Sequence, residues 1–209
     1  MKHLRRSIVI SVIALVAMNF PTSIFGQTTI GIRGGMSRAS ASGNFDGADV
    51  DARTGIKLGA SATIPIQDKF SLRLGGDYVQ KGYGLSANLE GLSISADVSL
   101  DYIELSGLGV VNLTPPESAA SVYVLAGPAI GINVKCEAAG EDCGDDGDGP
   151  KTLDLGITGG IGTEMAMSEG MTFSVELLYT LGLLSIAEGE DVKNRAIALQ
   201  VGVGFPIGK

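Results

Sequence analysis

The chain has 209 residues and carries 15 Lys and Arg against 23 Asp and Glu, for a formal net charge of −8. That balance disfavours a nucleic-acid partner, which requires a basic face. There are 31 glycines, no tryptophan and one histidine, His3. After the first two dozen residues no apolar run is long enough for a transmembrane helix.

Residues 1–26 read as a cleavable secretory signal peptide. Lys2, Arg5 and Arg6 form a basic start, Ser7–Met18 is an apolar run, and Gly26 is a small residue before a cut at Gln27. The rival reading is a membrane anchor, for which the run is short. No cysteine lies near the cut to accept a lipid. Cleavage leaves residues 27–209 as one domain. It removes three of the 15 basic residues and none of the 23 acidic ones, so 12 against 23 gives a net charge of −11. It also removes His3, which excludes a histidine-based triad, general base or metal ligand from the mature chain.

The remainder is written in period two, the signature of strands with two unlike faces. In the first strand, about Thr28–Arg38, Ile30, Ile32 and Met36 oppose Gly31, Arg33, Gly35 and Ser37. A polar connection, Ala39–Ala52, leads to the second strand, Arg53–Ile66, where Ile56, Leu58, Ile64 and Ile66 oppose Lys57, Gly59, Ser61 and Thr63. Gln67-Asp68-Lys69 is a tight turn. The third strand, Phe70–Tyr83, sets Phe70, Leu72, Leu74 and Tyr78 against Arg73, Gly75, Asp77 and Lys81, and a longer connection is expected over Gly84–Ala96.

The fourth strand, near Val98–Leu113, has apolar residues at both parities (Leu100 and Tyr102, but also Ile103 and Leu105), which points to a bulge or register change. Pro115 and Pro116 mark a turn. The fifth strand, Ser121–Lys135, precedes an acidic, Gly-rich connection, Cys136–Pro150, and the sixth is Lys151–Met165. Ser168-Glu169-Gly170 turns into the seventh, Thr172–Leu183, where Phe173, Val175, Leu177, Tyr179, Leu181 and Leu183 alternate with mostly small or polar residues. The last strand repeats this code at Ile197, Leu199, Val201, Val203 and Phe205.

Eight strands with alternating long and short connections predict an all-β fold, an eight-stranded antiparallel up-and-down transmembrane β-barrel with both ends in the periplasm. A soluble lipocalin-like barrel has the same alternation with its apolar face inward. The strand lengths and a polar face dominated by Gly, Ala, Ser and Thr favour the membrane, since a soluble exterior would carry more Lys and Glu. Charges inside a narrow lumen must pair. Arg33, Lys57, Arg73 and Lys81 are the candidate cations; Asp77, Asp101 or Glu104, Asp154, Glu164 and Glu176 are the candidate anions. Tyr78, Tyr102, Tyr179, Phe70, Phe173 and Phe205 are candidates for an aromatic girdle.

Short motifs resemble those of the PorT-like outer-membrane β-barrel domain family, small porin-like barrels of Bacteroidetes-type Gram-negative bacteria. They are Gly31-Ile32-Arg33-Gly34-Gly35, Gln80-Lys81-Gly82-Tyr83, Leu100-Asp101-Tyr102-Ile103-Glu104, Leu125-Ala126-Gly127-Pro128 and Lys193-Asn194-Arg195. The resemblance covers nearly all of the mature chain and implies an integral protein of the bacterial outer membrane. Its partners would be outer-membrane lipid and, during biogenesis, the barrel-assembly machinery. Barrels of this kind often end on an aromatic residue, whereas here Phe205 is followed by Pro206-Ile207-Gly208-Lys209.

Cys136 and Cys143, the only cysteines, are expected to form a disulfide in an oxidising compartment. Two cysteines without histidine are too few for zinc. Glu137, Glu141, Asp142, Asp145, Asp146 and Asp148 crowd the same loop. Carboxylates with glycine are calcium-ligand chemistry, but the spacing departs from the EF-hand template and a solvated, self-repelling loop is the expected reading. No catalytic, metal or cofactor residues emerge. The expected function is a non-enzymatic scaffold displaying external loops; the alternative is a narrow channel for water, ions or small solutes.

Overall fold

The computed structural model describes residues 28–43, 49–89, 92–115, 118, 120–143, 151–187 and 191–207, with only the backbone given for 87–89 and 92–94. The expected signal peptide therefore lies outside the described residues, as do Asp145, Asp146 and Asp148 of the acidic loop.

Eight long strands make the wall: β1 (Thr28–Ser42), β2 (Asp49–Gln67), β3 (Phe70–Leu89), β4 (Leu92–Asn112), β5 (Ala120–Ala138), β7 (Leu153–Ala166), β8 (Thr172–Gly182) and β9 (Lys193–Ile207). A two-residue strand, β6 (Glu141–Asp142), folds back on the end of β5. Every long strand pairs antiparallel with its neighbours in sequence, and β1 pairs with β9 from Thr28↔Ile207 to Ser42↔Lys193. The ring is closed, so no sheet edge is left at membrane depth. Both described ends lie with the short connections, 68–69, 113–119 and 167–171, which is the periplasmic end of such a barrel.

The faces answer which way the oily side points. Ile32, Met36, Leu58, Leu105, Ile157, Ile161, Leu177, Ile197, Leu199 and Val201 all face outward and are exposed. Lys57, Arg73, Asp77, Lys81, Glu104, Asp154 and Glu176 are buried inside. A soluble barrel would have the opposite arrangement.

Two expectations need correction. Gly84–Ala96 is not a loop. β3 and β4 pair without a break from Phe70↔Val111 to Leu89↔Leu92. At 20 and 21 residues these strands are about twice what a tilted strand needs to span a bilayer, so the hairpin rises beyond it. Ladder hydrogen bonds hold such a ribbon without an apolar face, which is why polar composition misread it. The connection expected at Ala39–Ala52 is likewise shorter, with β1 running to Ser42 and β2 starting at Asp49.

The irregularity expected around the fourth strand lies between Asp101 and Tyr102. These residues pair with Lys135 and Asn133, so the extra residue is Val134 of β5. Gly82 in β3 has φ 131°, and a Cβ there would strike the carbonyl oxygen of Val98, so this position requires glycine.

Candidate functional site: a filled lumen

Inward positions of β1 to β4 and β7 carry a chain of alternating charge across the lumen. The Arg33 guanidinium donates two hydrogen bonds to Asp77, Nε and Nη2 each at 2.9 Å. Lys57 lies 3.3 Å from the Asp77 oxygen, Oδ2, that also accepts from Arg33 Nη2, and 3.0 Å from Glu104. Lys81 then joins Glu104 at 2.9 Å to Asp154 at 3.2 Å, crossing from β3 to β7. Three cations and three anions make the chain neutral. Asn194 extends it by donating to Asp154 at 2.9 Å and to the Tyr102 hydroxyl at 3.3 Å.

A second knot lies nearer the periplasmic end. Arg73 of β3 pairs across the lumen with Glu176 of β8 and donates to Thr63 at 3.2 Å. Tyr123 and Gln200 each donate to Glu176 at 2.5 Å. Both knots have an aromatic partner: the Arg73 guanidinium sits 5.4 Å from the Tyr123 ring centroid and the Lys81 ammonium 5.0 Å from that of Tyr102.

Of the nine charged residues singled out from the sequence, Arg33, Lys57, Arg73, Asp77, Lys81, Glu104, Asp154 and Glu176 meet in these two groups. Glu164 does not: it lines a crevice at the periplasmic end and has no ion pair among the described residues. Asp101, the alternative to Glu104, has outward parity and accepts a hydrogen bond from Tyr78 at 2.7 Å. Tyr102, expected in the girdle, is 0% exposed and belongs to the lumen. Phe70, Tyr179 and Phe205 do face outward. Asn194, Gln200, Tyr102 and Tyr123 were missed as network members. Their only signal was inward parity, as for Gln200 between Leu199 and Val201.

Apolar layers flank the ions. Toward the external end, Ala41, Leu100, Tyr102, Ile186 and Val192 form a buried cluster. Ile186 and Val192, at the two described ends of the β8–β9 connection, lie in the mouth, where the Ile186 N–H donates to the Val192 carbonyl at 2.7 Å. Toward the other end, Leu108, Val110, Tyr123 and Leu125 pack with Leu178 and Ala198 from the opposite wall. Lumen glycines are cradles rather than vacancies. A Cβ on Gly162 would lie 2.5 Å from the Tyr123 ring, one on Gly59 would strike the Asp77 carboxylate, and one on Gly75 would strike the Arg33 guanidinium.

At the external end Cys136 and Cys143 form a disulfide with Cα atoms 5.4 Å apart, clamping the β5–β6 hairpin. Among the described residues no cluster of His, Cys, Asp and Glu is placed to hold a metal ion.

A closed antiparallel ring with an oily exterior and a charged, packed interior defines a transmembrane β-barrel. The chain belongs to the outer membrane protein beta-barrel domain family, whose model matches residues 7–205. It is thus an integral protein of the bacterial outer membrane. Among solved structures it is similar to Neisserial surface protein A (NspA), with a TM-score of 0.52 and 16% identity, over 84% of this chain and 97% of that one. It is also similar to the outer membrane protein OprG from Pseudomonas aeruginosa, with a TM-score of 0.52 and 14% identity, over 86% and 96%. At these identities the likeness concerns the fold. No curated protein matches the chain.

Proposed function

We propose that this barrel is a closed, non-enzymatic scaffold whose working surface is its external end: the long β3–β4 hairpin, the disulfide-clamped β5–β6 hairpin and the neighbouring connections. The carrying observation is the neutral ion chain Arg33–Asp77–Lys57–Glu104–Lys81–Asp154, which spans the lumen between two apolar layers. Eight-stranded barrels are just wide enough for side chains to fill. Buried carboxylates engaged by cations are poor general bases, and without His3 the mature chain has no histidine, which supports the absence of catalysis. Within the family we assign the chain to the PorT-like branch on the five short motifs above. We also assign the barrel-assembly machinery as its partner in biogenesis and no nucleic acid as a partner at all.

One observation favours the channel alternative. A crevice of about 30 Å³, lined by Arg33, Thr63, Arg73, Glu164 and Glu176, opens at the periplasmic end. It has room for about two waters.

The test is single-channel conductance of refolded protein in a planar bilayer, with insertion checked by a heat-dependent gel shift. The closed scaffold is electrically silent. Removing the external cluster and the cross-lumen cation together, as in Lys81→Ala with Ile186→Ala, is expected to produce discrete steps. Steps already present in the wild type would establish the channel instead.

A further inference from the structure

We infer that the outward face of β1 and β9, just above the lipid-facing band, binds a phosphate group of an outer-leaflet lipid through Arg38 and Arg195. Arg38 pairs in register with Ile197, and Arg195 with Ser40. The two arginines are therefore diagonal neighbours on adjacent strands, about 7–8 Å apart at their backbones, close enough for both guanidinium forks to reach one phosphate. Both are exposed. They share the outward parity of Met36, Ile197 and Leu199, all exposed large apolar side chains.

Among the described residues nothing compensates that charge. Across β2, Thr54 faces Arg38, and on the other flank Leu181 faces Arg195. The same outward rows thus offer the hydroxyls of Ser40 and Thr54 but no acid. Two steps above Arg195, Lys193 is neutralised by Asp191 at 2.9 Å, and on β5 Lys135 is neutralised by Glu137 at 2.7 Å. Among the described residues neither Arg38 nor Arg195 has an ion pair or side-chain hydrogen bond.

Below the pair lies an aliphatic floor of Met36, Ile56, Ile197 and Leu199, edged by Tyr179. A free anion would use only the arginines. A lipid uses both parts, laying acyl chains on the floor and its phosphate under the two guanidinium groups. This placement, on a chain that is otherwise strongly acidic, identifies the occupant as an anionic lipid rather than a soluble ion. The inference concerns the outer wall and does not depend on whether the lumen conducts.

The experiment is native mass spectrometry of the full refolded barrel, titrated with a bis-phosphorylated glucosamine-disaccharide lipid and with its dephosphorylated form. The wild type is expected to hold the phosphorylated lipid at least tenfold more tightly than the dephosphorylated one. The Arg38→Gln/Arg195→Gln double variant should lose that preference. Lys69→Gln, at the periplasmic β2–β3 turn, should keep it. Folding of each variant is verified by the heat-dependent gel shift, which these exposed substitutions leave in place. Equal retention by the wild type and the double variant would overturn the site. So would equal affinity of the wild type for the two lipid forms. Displacement of the lipid by millimolar inorganic phosphate would reassign the pair to a free anion and overturn the lipid assignment.

Discussion

Lys81 shows what a single inward side chain does in this barrel. It is 3% exposed, touches Glu104 and Asp154 with one ammonium, and stands over the ring of Tyr102. Replacing it with Met leaves Glu104 held by Lys57 alone and Asp154 held by Asn194 alone. Breaking a buried pair by removing one partner costs about 3–5 kcal/mol, mainly through the charge left behind. Lys81→Met is therefore expected to lower the unfolding free energy by about that much. Urea titration in lipid vesicles, read by far-ultraviolet circular dichroism because the chain has no tryptophan, measures it. Adding Asp154→Asn removes the orphaned anion and should recover more than half of the loss. A double variant no more stable than the single one would show that the chain's charges do not act through their pairing.

At this same scale the sequence was legible in type but not in partner. Inward parity marks Arg33, Asp77, Lys81 and Glu176 as lumen residues, because a charge facing lipid is costly. Which anion meets which cation depends on the stagger of the closed ring. Arg73 and Glu176 are 103 residues apart and come from β3 and β8. Nothing local says that they meet, or that Glu164 falls short of Arg73.

Among the elements, the strands were readable wherever lipid demands an oily face. They became unreadable where it does not. The outer parts of β3 and β4 keep pairing where neither face needs to be apolar, so their Ser, Asn and Asp have the composition of a loop. Tyr102 was misplaced for the opposite reason. β4 has apolar residues on both faces, Leu108 and Val110 packing the lumen while Leu105 and Val111 face outward. Only the register of β4 against its neighbours separates the two sets.

The clamped hairpin is the element with its own prediction. Cys136 and Cys143 close a loop of seven residues in sequence separation, and the chain-entropy account assigns such a small ring about 2–2.5 kcal/mol. Because β6 pairs with β5 through only Glu137↔Asp142 and Ala138↔Glu141, that constraint acts on the hairpin and not on the wall. Reduction should therefore leave the heat-dependent gel shift unchanged. In proteoliposomes it should speed tryptic cleavage at Lys151, just beyond the clamped hairpin, severalfold and leave Lys135, in the β4–β5 ladder, unchanged, read by mass spectrometry of the fragments. Unchanged cleavage at Lys151 would mean that strand pairing holds the hairpin without the disulfide.

For the whole molecule, the decisive property is that the wall is oily outside and polar inside, with bilayer depth as the coordinate along it. Leu199 lies near the middle of β9, points outward and is 57% exposed. Gln200 beside it points inward to Glu176. In a soluble barrel an exposed leucine replaced by arginine would be close to neutral, since the side chain would simply enter water. In a bilayer the same change at mid-depth costs about 2–4 kcal/mol, falling to about 0–1 near the interface. Leu199→Arg is thus expected to destabilise the barrel by about 2–4 kcal/mol in lipid vesicles. Ile207→Arg, at the periplasmic rim of the same strand, should cost no more than about 1 kcal/mol. Both are measured by urea unfolding with the circular-dichroism readout. A gradient from Leu199 to Ile207 places the periplasmic boundary of the bilayer on the wall. Equal, small effects at both positions would remove the membrane from the argument and leave the outward leucines and isoleucines without a solvent that explains them.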